Sequence, residues 1–482
     1  MTESTRYRMP STEDTRTPQR IRLITVGALL VILTNAIVFV LPPLLPAIQA
    51  TYHLSSVSSA TWIFTLLTLG GGAGFVLIPR LSDVIGDRDT AVLSAAALTV
   101  GALIAAIGDS YVALLIGSTV MGLGMAAQML PLSFLRRSLG ENGISIAVAV
   151  SVVGTGIGIV AGMIGGGFIV EHLSLRAFLY ILAAACAATT AASFFVIEQR
   201  RPDVGGTGIG VVGTVWMIAW VGAILLALTQ GLVWGEKALI PLATGAFGAA
   251  AWFWSQSKST NPVFDADLRK SPFVTATCIA IALFSSATAS FLVLLSNYAQ
   301  TDPSSLSSTD AYGLGCNALQ TGLLMAPFAI TFLIGGTVVE KPIAAGHGAA
   351  VLITGSVITT AGLTALALNH NQQWHYLVGS AVIGLGCSIG YAGGFAIVQM
   401  AVPEDKAGMG SAMAGTAMAL GFALGSAIVT TILSASTVSI PGTDIAVASK
   451  DQFGISYWAA SILAASIVAT VAVSRARNTR AA

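Results

Sequence analysis

The sequence predicts an all-α integral membrane protein of fourteen transmembrane helices: two six-helix bundles with two further helices inserted between them. Three observations predict it. Hydrophobic residues fill 55% of the 482 positions and charged residues only 9%, against about 25% charged in soluble domains. Fourteen apolar runs are long enough to cross a bilayer as helices. Lysine and arginine concentrate in every second connecting segment, as the positive-inside rule requires.

The runs lie at about 23–45, 59–79, 91–108, 111–134, 144–170, 176–197, 208–230, 237–255, 273–298, 317–339, 348–368, 374–399, 408–434 and 455–474. An even number puts both termini on one side. Segments on that side carry Arg6, Arg8, Arg16, Arg20 and Arg22, then Arg80 and Arg88, Arg136 and Arg137, Arg200 and Arg201, Lys258, Arg269 and Lys270, Lys341, Lys406, and Arg475, Arg477 and Arg480. Of the 22 lysines and arginines only Arg176, Lys237 and Lys450 fall on the other side. Removing any one span scrambles this pattern, and the rule then places both termini in the cytoplasm. The first run is too long for a signal-peptide core and reads as a retained span. The expected divisions are a tail at 1–22, a bundle at 23–200, an inserted pair at 201–258, a second bundle at 259–474 and a tail at 475–482.

Span 5 organises the first half. It has no charge between Ile144 and Val170, and Gly154, Gly158 and Gly162 are four apart, so they share one helix face. Small residues on one face let two helices approach closely in lipid. Span 13 repeats the spacing with Gly421 and Gly425, and VMGLGMAA (120–127) in span 4 is echoed by VIGLGCSIG (382–390) in span 12. Parallel repeats of this kind mark transporters whose substrate binds between the halves near the midplane.

Other classes are disfavoured. Net charge is +1, so no field draws nucleic acid. The four cysteines are scattered, three of them inside apolar runs. There is no metal-ligand spacing, P-loop or nucleophile–base constellation, so neither an enzyme nor a cofactor is expected. GIGIVA (156–161) and GLGMAA (122–127) formally match a dinucleotide fingerprint, but no strand precedes either.

PRLSDVIGDRD (79–89) resembles the signature loop of the major facilitator superfamily. Leu81, Asp83, Gly86 and Arg88 match; Pro79, Val84 and Asp87 replace a glycine, an arginine and another basic residue. Span 5 resembles that family's antiporter motif through Gly158, Gly162, Gly166 and Gly167, with Met163 at the proline position. EHLSLRAF (171–178), NPVFDADLRKSPF (261–273) and ALQTGLLMAP (318–327) are similar to matching stretches of the fourteen-span drug:proton antiporters. The resemblance implies multidrug efflux by alternating access in the cell membrane, with a small-molecule substrate, protons as the coupling ion and a monomeric chain in the lipid bilayer. It also implies a latch at Leu81, Asp83, Gly86 and Arg88, and a hinge at the span 5 glycines against the facing half. Two departures bear on coupling: Thr34 stands where that subfamily has an aspartate, and Ser118 where it has an arginine.

No run has an ionisable side chain near its middle, although such groups are the usual marker of an ion pathway. The cavity lining expected is therefore neutral: Thr34, Asn35, Trp62, Ser118, Gln128, Asn297, Gln320 and Tyr391. Asp83 and Glu171, or an acid such as Asp310 in the loop after span 9, are the candidate proton carriers. His53, His347, His370 and His375 lie near span ends and read as interfacial. An uncoupled facilitator, or a non-transporting scaffold or sensor that kept the fold, also fits these residues.

Overall fold

The computed structural model describes residues 12–139, 143–199, 210–259, 262–264, 271–307, 311–402, 407–441 and 446–481. Arg6, Arg8, Arg200, Arg201, Arg269, Lys270, Lys406 and Asp310 lie outside the described residues.

Fourteen helices are long and apolar enough to cross a membrane. In chain order they are α1 Pro18–Thr51, α2 Val57–Ile85, α3 Asp87–Gly108, α4 Tyr111–Arg136, α5 Ile146–His172, α6 Leu175–Val196, α7 Val211–Leu232, α8 Gly235–Lys258, α9 Phe273–Gln300, α10 Ala318–Ala344, α11 Gly348–Leu368, α12 Gln373–Ala401, α13 Met409–Leu433 and α14 Lys450–Ala472. Each matches one of the apolar runs, because the polar backbone of a lone apolar segment in lipid can satisfy its own N–H and C=O groups only by closing a helix. Side-chain oxygens cap the first turns: Ser56, Ser110, Ser174, Ser271 and Asn317 each accept a backbone N–H at a helix start. Gly86 turns the chain between α2 and α3 with φ 93°, a conformation that favours glycine.

The end holding both chain termini and the arginine-bearing loops is called here the basic end, and the opposite one the far end. At the far end a small hairpin pairs β1, Thr437–Ser439, antiparallel to β2, Ala446–Ala448, in the register Thr437↔Ala448.

Two sets of helices repeat one packing scheme. α1 lies along α5 as α9 lies along α13, α2 along α4 as α10 along α12, and α3 along α6 as α11 along α14. The sets meet through α2 with α13 and α5 with α10. α7 and α8 pack on each other, touch the rest mainly through α7 against α2 and α13, and are the least buried of the spans. The basic end of α2 is tied to the segment after α8: Arg80 Nη2 donates to the carbonyls of Pro262 (2.6 Å) and Val263 (2.8 Å).

The glycine stripe of α5 has a partner other than the one expected. A Cβ at Gly158 would lie 2.6 Å from the Ile32 carbonyl, and one at Gly162 2.6 Å from that of Ala36. Gly166 likewise meets Val40. These three glycines therefore seat α5 on α1 of its own half, and Gly167 reaches the facing half at Ala318. Between Ala161 and Gly166 the helix widens into a π-turn, a local irregularity common at functional positions.

Candidate functional site

At mid-length of α1 three helices meet at one amide. Asn35 Nδ2 donates to the Val31 carbonyl of its own helix (2.9 Å) and to Gln128 Oε1 of α4 (3.1 Å), and lies 3.5 Å from Thr155 Oγ1 of α5. Asn35 is brought there by close seating of the helices, its Cβ lying 2.8 Å from where a Cβ on Gly158 would be. An amide in apolar surroundings needs partners, and this one finds them on its own helix and on α4. Gln128 and Thr155 each keep donor capacity that Asn35 does not use.

The second half repeats the arrangement. Gly421 of α13 faces the Ala282 carbonyl and the Ser285 Cβ of α9, just as Gly158 faces the Ile32 carbonyl and the Asn35 Cβ of α1. Gly425 then meets Ser286 as Gly162 meets Ala36. Asn35 and Ser285 are thus equivalent positions. Ser285 Oγ accepts from the Tyr391 hydroxyl of α12 at 2.8 Å. Each half sets a polar α1-type side chain against its α4-type helix at the same level. Thr155 and Ser285 were not singled out in the sequence; the glycine spacing shared by α5 and α13 was the signal that could have found Ser285.

One turn beyond Asn35 toward the far end, aromatic rings join the halves. Phe39 of α1 stands 6.3 Å from Phe328 of α10 and 6.3 Å from Phe422 of α13. Phe64 and Phe291 extend the layer against Phe422 and Phe328. Beyond it α1 and α9 are clasped. Pro46 has no N–H, which leaves the Pro42 carbonyl without its helical donor; Ser296 Oγ donates to it, and Gln300 Nε2 donates to Pro43 O at 2.8 Å. Further out Gln49 Nε2 reaches the β2 carbonyl of Ala446. Every residue from Ile37 to Leu45 of α1 and from Phe284 to Ala299 of α9 is buried. Toward the basic end Ile32, Leu33, Thr275 and Ala276 are only half-buried and Thr25 and Ile279 are exposed. The structure is closed at the far end.

Residues 26–426 match the family model of the Major Facilitator Superfamily. The chain belongs to that superfamily. It is a multi-pass protein of the cell membrane that transports small molecules, and not an enzyme. It is similar to the multidrug resistance protein Stp of Mycobacterium tuberculosis, 23% identical over 381 residues that cover 76% of this chain and 67% of that one. It is also similar to the multidrug efflux pump LfrA of Mycolicibacterium smegmatis, 26% identical over 411 residues, 83% of this chain and 78% of that one. The tetracenomycin C resistance and export protein of Streptomyces glaucescens is 21% identical over 397 residues, 80% of this chain and 70% of that one. Among solved structures, the human organic anion transporter MFSD10 (TETRAN) superposes with a TM-score of 0.59 at 14% identity, over 92% of this chain and 99% of that one. A mutant form of the nucleoside transporter NupG gives 0.58 at 12% identity, over 95% and 99%. These two show the fold.

The signature loop of the superfamily is held in an unusual way. Asp87, where a basic residue is usual, accepts from the hydroxyls of Ser82 on α2 and of Ser133 on α4, the latter at 2.8 Å. One carboxylate thus joins α2, α3 and α4 at the basic end. Arg88 stacks its guanidinium 4.2 Å from the Phe194 ring centroid and donates to Gln199 Oε1 (3.3 Å), fixing α3 to the end of α6. Asp83 is exposed, Leu81 half-buried and Gly86 buried at the turn. Hydrogen bonds to a charged acceptor contribute roughly 1.5–3 kcal/mol when buried and less when part-exposed. Asp87→Ala should therefore lower the thermal unfolding midpoint in detergent more than Asp87→Asn; equal midpoints for wild type and Asp87→Ala would contradict the assignment.

The other sequence candidates are placed as follows. Thr34, at the usual acid position, is fully buried and donates to Leu30 O (2.7 Å) and Val31 O (3.0 Å) of its own helix. Ser118 is fully buried, and its hydroxyl makes no hydrogen bond among the described residues. Three candidates lie away from the polar level. Trp62 packs with Leu225 of α7 and Ala423 and Ala427 of α13, a face its apolar ring fills. Gln320 and Asn317 form a capping box at the start of α10, where unpaired backbone N–H groups outcompete a cavity for the amide. Asn297 donates to Val293 O (2.8 Å) of its own helix, within the far-end clasp. Glu171 is exposed at the far end of α5, and Arg176 pairs with Asp109 (3.0 Å).

Proposed function

We propose that the protein exports small amphipathic or hydrophobic organic molecules by alternating access, driven by proton antiport. The basic end faces the cytoplasm with both termini, and the far end is the closed one. The observation that carries this reading is the uncharged polar level at Asn35–Gln128–Thr155 and Ser285–Tyr391, roofed by phenylalanines that span both halves. Amides and hydroxyls beside aromatic rings suit a small, largely apolar solute bound by a few hydrogen bonds and without a charge pair. The drug-export names of its relatives agree with this. Rocking of residues 23–200 against 259–474, with 201–258 riding between them, would break the far-end clasp and form a counterpart at the basic end. The latch residues Leu81, Asp83, Gly86 and Arg88 hold the first bundle together in that motion. The α5 glycines act as its slide on α1, with Gly167 touching the facing half. Asp83 and Glu171 remain the acidic candidates for proton transfer, and the chain works as a monomer.

Thr34 at the usual acid position favours one second reading, an uncoupled facilitator. Dye efflux from expressing cells separates the two. Efflux that stops when the proton gradient is collapsed supports antiport, and transport that persists only to equilibrium supports the facilitator. Asn35→Ala should cut efflux about tenfold, since losing interhelical hydrogen bonds worth about 1–2 kcal/mol is a factor of that order. Unchanged efflux in Asn35→Ala would move the site elsewhere.

A further inference from the structure

Outside the central site, one titratable group sits among aromatic rings at the far end of the second half. His370 follows α11 and is half-buried. Its Nδ1 lies 2.9 Å from the Leu366 carbonyl, which fixes the proton on Nδ1 in the neutral ring. Its Nε2 is buried and has no hydrogen-bond partner among the described residues. The ring stands edge-on to Tyr298 of α9 with centroids 5.0 Å apart, and 5.5 Å from Tyr457 of α14. Tyr376 of α12 and Tyr312 pack on the same Tyr298 at 5.8 and 5.5 Å. The hydroxyls of Tyr376 and Tyr457, both fully buried, interact with each other in the same nest. The unpartnered Nε2 thus lies in an aromatic nest with buried hydroxyls, a place where an additional proton would find ring faces.

The nest is mechanically connected to the clasp between the halves. Tyr298 lies between Ser296 and Gln300, the two α9 residues that hold Pro42 and Pro43 of α1. Its hydroxyl donates to Asn371 Oδ1 (3.1 Å), beside His370 in the same loop. We propose that His370 is a proton-binding site of the second half, through which acidity on the far side releases the α1–α9 clasp by way of Tyr298. The proposal deepens the proton-coupled reading above and rests on it for its role in export.

The groups around His370 from each packed element are Tyr298 on α9, with Tyr376 of α12 packed on it, His375 on α12, and Tyr457 and Lys450 on α14. In the far-closed structure burial pushes the His370 imidazole below its ordinary value; the Leu366 carbonyl partly offsets this, and Lys450 and His375 add to the lowering. A site whose affinity for protons is lowered in one conformation favours that conformation only while it is neutral. The closed state is therefore favoured above the ordinary histidine value of about 6.5, and that preference is lost as the pH falls below it. Protons taken from an acidic exterior would favour opening to that side, the direction an exporter needs.

The test measures the far-end distance between spin labels on Thr51→Cys and Leu377→Cys in the full-length protein, with the native cysteines replaced, as pH is lowered from 8 to 5 (roughly the window about the histidine value). The expected result is a shift of the distribution to longer distances on acidification. It should disappear in both His370→Gln and His370→Asn and persist in His375→Gln. A pH-independent distance in the otherwise unsubstituted protein, or an acid shift that survives both His370 substitutions, overturns the site. Gradient-driven dye efflux in cells that coincides with a flat distance overturns the site and leaves proton-driven export standing. A His370-dependent shift without gradient-driven efflux does the reverse.

Discussion

Gly162→Val and Gly425→Val should each abolish export and lower the yield of folded protein. A Cβ at Gly162 would stand 2.6 Å from the Ala36 carbonyl oxygen and 3.0 Å from the Val40 nitrogen, and one at Gly425 would overlap Ser286. These are mainly backbone atoms, which cannot rotate away as a side chain does. Overpacking a well-filled contact costs roughly 1–3 kcal/mol, and a branched residue against backbone belongs at the upper end. The helices must then separate, and Asn35 and Ser285, seated by the same contacts, lose their partners on α4 and α12. Gly165→Ala is the control, since nothing lies within 4 Å of its added Cβ. It should retain export and fold at least as well, because alanine favours a helix over glycine by about 1 kcal/mol. The measurement is dye efflux alongside the monodisperse fraction on size exclusion; full activity in both valine variants would contradict the close seating.

Phe39→Ala should open the far end. The ring is 6% exposed and touches Phe328 and Phe422, both on the opposite half. Removing a buried phenylalanine typically costs about 3–5 kcal/mol, and here the lost contacts are ones that hold the two halves together. Even half of that cost, about 2 kcal/mol, changes a two-state population some thirtyfold. A cysteine introduced by Ser296→Cys should react with a membrane-impermeant thiol reagent added from the far side at least about ten times faster in Phe39→Ala than in the parent. Equal rates would mean that the aromatic layer is not the seal.

The fold was largely legible in the sequence because its determinants are local. Apolar length marks each of the fourteen helices, and the arginines order their connections without any knowledge of contacts. The glycines at 158, 162, 421 and 425 were legible as contact faces, but not the helix each one meets. Both pairs turned inward, onto α1 and α9 of their own halves, because the closest backbone approach is made there. The site was legible in part. Asn35 and Gln128 stood out as amides in apolar runs, and the structure joins them. Gln320 stood out equally, yet its place at the first turn of α10 makes it a cap. Asp87 stood out only as a departure from the signature loop, an acid where a basic residue is usual. Its role depends on Ser133, 46 residues away, and no local pattern announces that pairing. Thr155 and Ser285 were hidden for the same reason, and His370 read only as interfacial: these are common residue types whose meaning comes from partners on other helices.

The measurement that tests the central claim most directly uses purified protein in liposomes with a pH gradient imposed across the membrane and a hydrophobic cationic or neutral dye as solute. The account predicts dye movement against its own gradient while the pH gradient lasts, its collapse when the pH gradient is dissipated, and about tenfold slower movement in Asn35→Ala. Dye movement no faster than in protein-free liposomes across a broad panel of such solutes would contradict it.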